Sequence, residues 1–381
     1  MDNTKKRLVF WLLVIVLYSL LLVQVRRYRD GSDWFFFVHL TNKVLSGDPL
    51  SIYEEQEYGR YYFYYSPLSL FLLAPAVWLS KLMQLAPIYQ QIFNIVPFAI
   101  FDILMAYSGV RLISTYRRLQ LNEQFFITSF ILFSYFTLWS TLYNGRFESV
   151  MIFFLLTGWR WLVKKRLGLA SLAFMLAILV KQTAVFALVP VLVMLIKNSR
   201  REGFKFLATV IVGIALVFLP FFLHDPSAFL TAMKSQFQSE SRGFTVWNLG
   251  SDISNWSGVF IMLLILITCL CVWKSKLDLS DHRLFGWAAF SVIGIHLLMN
   301  TVLSYYFVFP IVFLFLWEMT AKRYPIVSLI YLGIVSMIHT LGMSVETTVY
   351  TSGVLTSTIA LVLGIGSLLF IGSNIWSVRK I

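Results

Sequence analysis

The sequence predicts an all-α polytopic membrane protein of about 12 transmembrane helices, forming a single integral membrane domain over residues 1–381. The chain is 59% hydrophobic and only 13% charged, which is more apolar than a soluble core needs. Basic residues cluster in short segments between apolar runs, and most acidic residues fall in the alternate segments, as membrane topology demands. We therefore assign the net charge of +13 to membrane orientation and predict no nucleic-acid partner.

The first apolar run, Leu8–Val25, follows Lys5, Lys6 and Arg7 and resembles a signal peptide. A small-residue cleavage site should come next, but Arg26 and Arg27 stand there. The run is therefore predicted to be a retained first helix. The positive charges before it place the amino terminus in the cytoplasm, and the count of spans places the carboxyl terminus there too.

Eleven further apolar runs complete the predicted bundle. They are Ile92–Leu112, Phe125–Leu142, Phe147–Val163, Leu167–Val180, Thr183–Ile196, Phe206–Phe222, Val259–Val272, Leu284–Leu298, Val302–Trp317, Pro325–Leu341 and Val354–Ile371. The first outer loop then covers residues 26–90 and the second covers residues 224–256.

Two segments are assigned by charge rather than by hydropathy. Counting Leu68–Leu85 as a crossing would move the later basic loops outside, so a re-entrant or interfacial segment is predicted there. Leu167–Ile196 could form one long helix, but both of its flanks are basic, so it must turn back near Lys181-Gln182. Lys181 would then lie below the outer surface, inside the protein.

Unusual polar residues collect at the predicted outer face. The first outer loop carries Asp30 and Asp33 ahead of Trp34–Ser46, whose pattern predicts an amphipathic helix lying on the membrane. The remaining polar candidates are Asn144, Arg146, Glu148, Lys181, His224, Asp225, Arg242, Asn248, Asn300, Tyr305 and Tyr306. Carboxylates just outside a bilayer are candidates for chemistry on a membrane-held substrate. Asp102 is the one acid at full membrane depth, where hydrogen-bonded packing is the plainer interpretation.

Several of these segments carry a resemblance through their order and common sidedness. An acid after the first helix is followed by an amphipathic helix, Gly47-Asp48-Pro49-Leu50-Ser51-Ile52-Tyr53, and Tyr64-Tyr65-Ser66-Pro67-Leu68. Further along come Asn144-Gly145-Arg146-Phe147-Glu148-Ser149, Leu179-Val180-Lys181-Gln182 with Leu188-Val189-Pro190, and Ser304-Tyr305-Tyr306. This series resembles polytopic glycosyltransferases of the GT-C fold, closest to the family 87 polyprenol-phosphate-mannose-dependent mannosyltransferases.

The resemblance implies transfer of a hexose such as mannose, with inversion, from a polyprenyl-phosphate-linked donor to an acceptor hydroxyl. The acceptor would be a glycan, a glycolipid or a protein, at the outer face of the plasma (inner) membrane. Asp33 is the expected general base, since a carboxylate beside the hydroxyl lowers the barrier to its attack. Asp30 would orient the acceptor.

The remaining candidates are expected to bind substrate. Arg146 and Lys181 would hold the departing phosphate, and Glu148 would bind sugar hydroxyls or orient Arg146. His224 and Arg242 would close over the substrate from the second outer loop, and Tyr305 belongs to the aromatic outer turn. In the plainer alternative, Arg146 pairs with Glu148 and Lys181 snorkels outward.

Other functions stay open at this point. A lipid or polysaccharide flippase or transporter would suit 12 helices equally well, and a surface-polysaccharide polymerase would also face outward. No nucleotide-binding motif or serine nucleophile elbow occurs in the sequence. A divalent metal at Asp30 and Asp33 is left unassigned, because their spacing alone does not support such a site, and no other cofactor is indicated.

Overall fold

The computed structural model describes residues 3–27, 33–57, 61–235, 242–243, 256–299, 301–302, 304–321, 324–344 and 353–377, and these are almost entirely helical. In the first half of the chain the helices are α1 (Asn3–Arg27), α2 (Asp33–Leu45), α3 (Leu68–Leu82), α4 (Pro87–Tyr116), α5 (Leu121–Phe133), α6 (Tyr135–Thr137), α7 (Glu148–Val163) and α8 (Leu167–Val180). In the second half they are α9 (Val185–Asn198), α10 (Arg200–His224), α11 (Pro226–Ser235), α12 (Ser257–Lys274), α13 (His282–Leu298), α14 (Val308–Thr320), α15 (Ile326–Ser344) and α16 (Gly353–Ser377). The all-α class is therefore confirmed.

Short elements connect these helices. Two-residue strands β1 (Gln56–Glu57) and β2 (Tyr61–Tyr62) pair antiparallel, and β3 (Arg242–Gly243) and β4 (Thr301–Val302) pair parallel. Single turns of 3₁₀-helix cover Leu50–Tyr53, Gln182–Ala184 and Ser304–Phe307, and a π-helical turn covers Leu138–Tyr143.

Four helical segments in the described part of the chain are long and apolar enough to cross a membrane. They are Thr4–Val25, Pro87–Tyr116, Arg200–His224 and Ser257–Lys274. A fifth span is reached if Leu121–Phe133 and Tyr135–Tyr143, bent by 45°, count as one. The other apolar helices are shorter, so the figure of 12 spans stays a prediction.

Apolar side chains on the outside of the bundle show which helices face lipid. Leu12 on α1, Leu223 on α10 and Met262 on α12 are more than half exposed. Such continuous apolar exteriors would be unstable in water and are favourable only in a bilayer. The exterior therefore indicates a polytopic membrane protein.

Helix α14 forms the centre of the bundle, since all 13 of its residues are buried. Its one acid, Glu318, accepts hydrogen bonds from the backbone amides of Val327 at 3.1 Å and Ser328 at 2.9 Å. The carboxylate thereby caps the positive end of the α15 helix dipole.

The predicted hairpin is present, with its break at Lys181. Helix α8 ends at Val180, and α9 begins at Val185 after the Gln182–Ala184 turn. The two far ends approach one loop, because Lys197 of α9 donates to the Ser275 carbonyl. The Ser280 hydroxyl lowers the pKa of Asp278 in that same loop. Lys165, just before α8, lowers it further and therefore lies near the loop as well. The chain therefore turns back, and its basic flanks share one end of the molecule.

The predicted Phe125–Leu142 helix is wrong as a single element. Helix α5 stops at Phe133 because Ser134 is extended, with φ −63° and ψ 142°. The Ser134 hydroxyl contacts the Ile131 carbonyl at 3.4 Å and the Thr137 hydroxyl at 2.8 Å. Such side-chain bonds compete with helical backbone bonds. The π-helical turn that follows is a feature often found at functional sites.

The first outer loop has its predicted helices. Helix α2 matches the predicted amphipathic helix, and α3 lies within Leu68–Leu85. The 15 residues of α3 span about 22 Å, which is less than a bilayer core of about 30 Å. Its assignment as a re-entrant segment stays a prediction.

Candidate active site

The turn between the π-helical segment and α7 holds two buried charged residues. Gly145, with φ +63°, adopts a left-handed conformation that favours glycine. The backbone amides of Gly145 and Arg146 donate to the carbonyls of Thr141 at 2.9 Å and Ser140 at 3.0 Å. The turn therefore fixes Arg146, which is 6% exposed, and Glu148, which is 2% exposed, at the start of α7.

Glu148 is bonded to the break of the α8–α9 hairpin. Its Oε1 accepts from the Nζ of Lys181 at 2.5 Å, and its Oε2 accepts from the Ser140 hydroxyl at 3.1 Å. Lys181 itself is 5% exposed, so it does not snorkel outward. Glu148 pairs with Lys181 in place of the predicted alternative partner, Arg146.

Lys181 also faces an aromatic ring. Its Nζ lies 3.7 Å from the ring centroid of Tyr306, a distance typical of a cation–π contact. Its backbone is extended, with φ −154° and ψ 123°, because the helix ends there. The break thus puts an ammonium group between a carboxylate and an aromatic face.

The aromatic run of the first outer loop reaches the same place. The Gln182 side-chain amide donates to the Tyr64 carbonyl at 2.7 Å, and the hydroxyls of Tyr64 and Tyr65 are 3.2 Å apart. Tyr64 also lies close enough to Tyr306 for the two side chains to interact electrostatically. The loop is therefore joined to the hairpin break through the Tyr64 carbonyl and the Gln182 side chain.

Helix α2 of the first outer loop packs against the same group of residues. The Arg146 guanidinium carbon lies 5.5 Å from the ring centroid of Phe37. The Phe147 ring packs edge-on against Phe37 at 5.2 Å and against Tyr65 at 5.0 Å between centroids. The first outer loop, the 144–148 turn and the Lys181 break therefore form one cluster.

Not every predicted site residue can be placed in this cluster. Asp30 lies outside the described residues. Asp33 is the first residue of α2, Arg242 pairs through β3 with Thr301, and Tyr305 lies in a 3₁₀ turn, but the side chains of these three lie outside the description. Their predicted roles remain untested.

His224 lies in a different, exposed group. Its Nε2 is 3.6 Å from Oε1 of Glu54, and both side chains are more than two-fifths exposed. Nearby, the Ser51 hydroxyl lowers the pKa of Asp48, and Lys43 and His224 add smaller effects. In the described contacts His224 belongs to the rim of the first outer loop and not to the buried cluster.

Sequence reasoning missed His296 as a member of the cluster. It lies on α13, is 7% exposed, and its ring centroid is 6.0 Å from that of Tyr306. Lys181 is close enough to interact with it electrostatically. Its Nε2 is buried with no hydrogen-bond partner among the described residues. A lone histidine in an apolar run gives no periodic signal, so only tertiary packing could reveal it.

Asp102 has the packing contacts predicted for it, and they reach the site turn. The hydroxyls of Tyr18 and, at 2.9 Å, Thr141 donate to its carboxylate. The carboxylate, on α4, thereby links α1 to the π-helical turn that precedes Arg146 and Glu148.

No group of three or more metal-ligating side chains suited to an ion occurs within the described ranges, which leave out Asp30. A family model described as glycosyltransferase family 87 matches residues 63–304. The matched range includes Arg146, Glu148, Lys181 and His296 and begins after Asp33. No curated protein and no solved structure matches the chain.

Proposed function

The chain belongs to glycosyltransferase family 87, and from this premise we propose that it transfers a hexose such as mannose from a polyprenyl-phosphate donor to an acceptor hydroxyl. The observation that carries the proposal is the buried Lys181–Glu148 pair beside Arg146. A lipid-linked donor leaves a phosphate behind, and fixed cations stabilise its growing charge in the transition state. Family membership favours this function over the flippase, transporter and polymerase alternatives.

The two buried cations suit different parts of that task. The Arg146 guanidinium offers two parallel N–H donors to phosphate oxygens, and Lys181 offers a compact point charge. Glu148 keeps Lys181 oriented before the donor binds, because it accepts from Nζ at 2.5 Å. When a phosphate arrives, Lys181 shares its donors between Glu148 and the phosphate.

The proposed general base is Asp33. Positions 33 and 37 are four residues apart on α2 and therefore share a helix face, and Phe37 contacts Arg146. In the proposed step the acceptor oxygen bonds to the sugar C1 while the bond from C1 to the phosphate oxygen breaks. The hydroxyl proton passes to the Asp33 carboxylate, and attack opposite the leaving phosphate inverts the anomeric centre.

The other predicted residues act around this step. Asp30 orients the acceptor, and Tyr305, Arg242 and His224 close over the sugar from the outer surface. The donor lipid tail lies in the bilayer of the plasma (inner) membrane. The site lies on the outer side of that membrane, and both termini are cytoplasmic. The acceptor is a glycan, a glycolipid or a protein.

The test is transfer of radiolabelled mannose from polyprenyl-phosphate mannose by the purified chain in lipid nanodiscs containing membrane lipid acceptors. We expect Asp33→Asn to lower the rate by about 10²–10⁴, the range for loss of a general base. Asp278→Asn, which removes an acid from the loop at the basic end, is the matched control and should keep full activity. Transport of the donor without transfer, or an Asp33→Asn variant as active as the control, would contradict the proposal.

A further inference from the structure

A cavity of about 610 Å³ lies between α1, α4 and α5. Three arginines line it: Arg7 on α1, Arg111 on α4 and Arg118 just after α4. Its walls include Trp11 and Tyr107, and the Arg111 guanidinium lies 5.8 Å from the Tyr107 ring centroid. The cavity thus combines a concentrated positive charge with aromatic sides.

Among the described residues, no carboxylate lines the cavity. The acid nearest to Arg118 in sequence, Glu123, is already engaged, since Oε1 accepts from Arg117 at 2.6 Å and Oε2 accepts from the Gln120 amide at 2.8 Å. Within the part of the chain that the structure describes, Arg7, Arg111 and Arg118 form no ion pair. Three arginines facing one cavity without an internal counter-charge are arranged for an external anion.

The positive charge extends beyond the cavity. Arg160 most strongly, followed by burial and then by Arg111, lowers the pKa of Lys164 after α7. Lys164 is thus within electrostatic reach of three arginines, Arg160, Arg111 and Arg166. An anion bound there would relieve that repulsion.

The cavity is remote from the candidate active site. Glu148 begins α7, and eleven residues later the Trp159 indole donates to the Tyr116 hydroxyl at the end of α4, at 3.1 Å. Eleven helical residues span about 16 Å. The arginine cavity adjoins that far end of α4, so it and the Lys181–Glu148 pair lie at opposite ends of the bundle.

We propose that this cavity binds the phosphate headgroup of an anionic membrane lipid in the leaflet opposite the active site. Guanidinium groups bind phosphate through paired N–H donors, and Trp11 and Tyr107 suit the headgroup level. The acyl chains lie along α1, where Leu8 is 61% exposed and Leu12 is 54% exposed. Basic pockets between membrane helices at the inner leaflet are suited to lipid phosphates. A bound lipid would hold α1 against α4 and α5. It would take no part in sugar transfer, which occurs at the opposite end of the bundle.

The test is native mass spectrometry of the full chain released from detergent, titrated with phosphatidylglycerol or with phosphatidylcholine. We expect phosphatidylglycerol to bind at least tenfold more tightly. Arg111→Gln/Arg118→Gln should abolish that preference. Arg200→Gln/Arg201→Gln, which removes two arginines from the same end but outside the cavity, should change it less than twofold. Arg118→Gln alone, at an exposed position, is a milder variant that tests the site if the double variant does not fold.

A separate titration with inorganic phosphate distinguishes the source of the anion. We expect millimolar phosphate to displace little lipid. Equal binding of the two lipids, equal losses in the cavity and control variants, or complete displacement by inorganic phosphate would overturn the proposal. None of these outcomes depends on sugar transfer, so the lipid site and the proposed function are tested separately.

Discussion

The Nζ of Lys181 lies 2.5 Å from Oε1 of Glu148, and the two side chains are 6% and 2% exposed. This pair joins the break of the α8–α9 hairpin to the first residue of α7. Burying two charges is costly even when they are paired, and a hydrophobic pair of similar size is often as stable. A charged pair here is therefore explained better by a ligand than by stability.

The first prediction separates those two roles of the pair. Lys181→Met alone leaves Glu148 buried and uncompensated, which should cost about 3–5 kcal/mol of stability. Glu148→Gln/Lys181→Met removes both charges and should recover most of that loss in thermal unfolding. Sugar transfer should stay below one hundredth of the original rate in both variants. A double variant that regains activity together with stability would show that the pair is only structural.

The second prediction concerns the geometry of Arg146. Arg146→Lys keeps the charge but loses the planar fork and its stacking on Phe37. We expect transfer to fall at least tenfold, mainly through a higher KM for the polyprenyl-phosphate donor, with the melting temperature little changed. Arg160→Lys, at the other end of α7, is the matched control. An unchanged donor KM in Arg146→Lys would remove this residue from the phosphate site.

Much of this site was accessible from the sequence. The break at Lys181 followed from one long apolar run with basic residues at both ends, because charge bias constrains topology strongly. The choice of Lys181 as the partner of Glu148 did not follow, because the packing of α7 on α8 brings together residues 33 positions apart. Local spacing instead favoured Arg146, only two positions away.

Two other features could not be predicted from the sequence, for related reasons. Ser134 ends α5 inside an apolar run whose hydropathy predicts one helix. Its hydroxyl competes for backbone hydrogen bonds, and a hydropathy pattern contains no information on that competition. His296 joins the cluster only through the approach of α13 to Tyr306. Periodicity reports which face of a helix is buried but not which buried residue meets which.

The third prediction assigns Asp102 a positioning role. Its carboxylate accepts from Tyr18 and from Thr141 in the π-helical turn before Arg146. Tyr18→Phe removes one donor and should destabilise the protein by about 1–2 kcal/mol. Asp102→Asn keeps the size but disturbs both bonds, and we expect it to lower kcat more than it raises the KM for the donor. Thr115→Val, a hydroxyl lost at the far end of α4, is the control. Equal kinetic constants in Asp102→Asn and the control would restrict Asp102 to helix packing.

The fourth prediction is a pH dependence of the first outer loop. The Lys43 ammonium donates to Glu55 at 2.6 Å and, with a smaller contribution from His39, lowers the pKa of that carboxyl against the opposing effect of burial. A carboxyl whose pKa is lower in the folded state stabilises the loop above its unfolded pKa of about 4.3. That contribution is lost as the pH falls through the lower folded value.

Hydrogen exchange over residues 43–55, corrected for the intrinsic effect of pH on exchange, provides the measurement. We expect protection to be constant from pH 7 to about pH 5 and to fall progressively below that, because protonated Glu55 no longer pairs with Lys43. Lys43→Gln should show low protection throughout and a weaker dependence on pH, since the partner that lowers the pKa is gone. A pH profile identical in the two proteins would show that another group controls this loop. The loop adjoins the aromatic run that reaches Lys181, so its opening should also slow sugar transfer in acid.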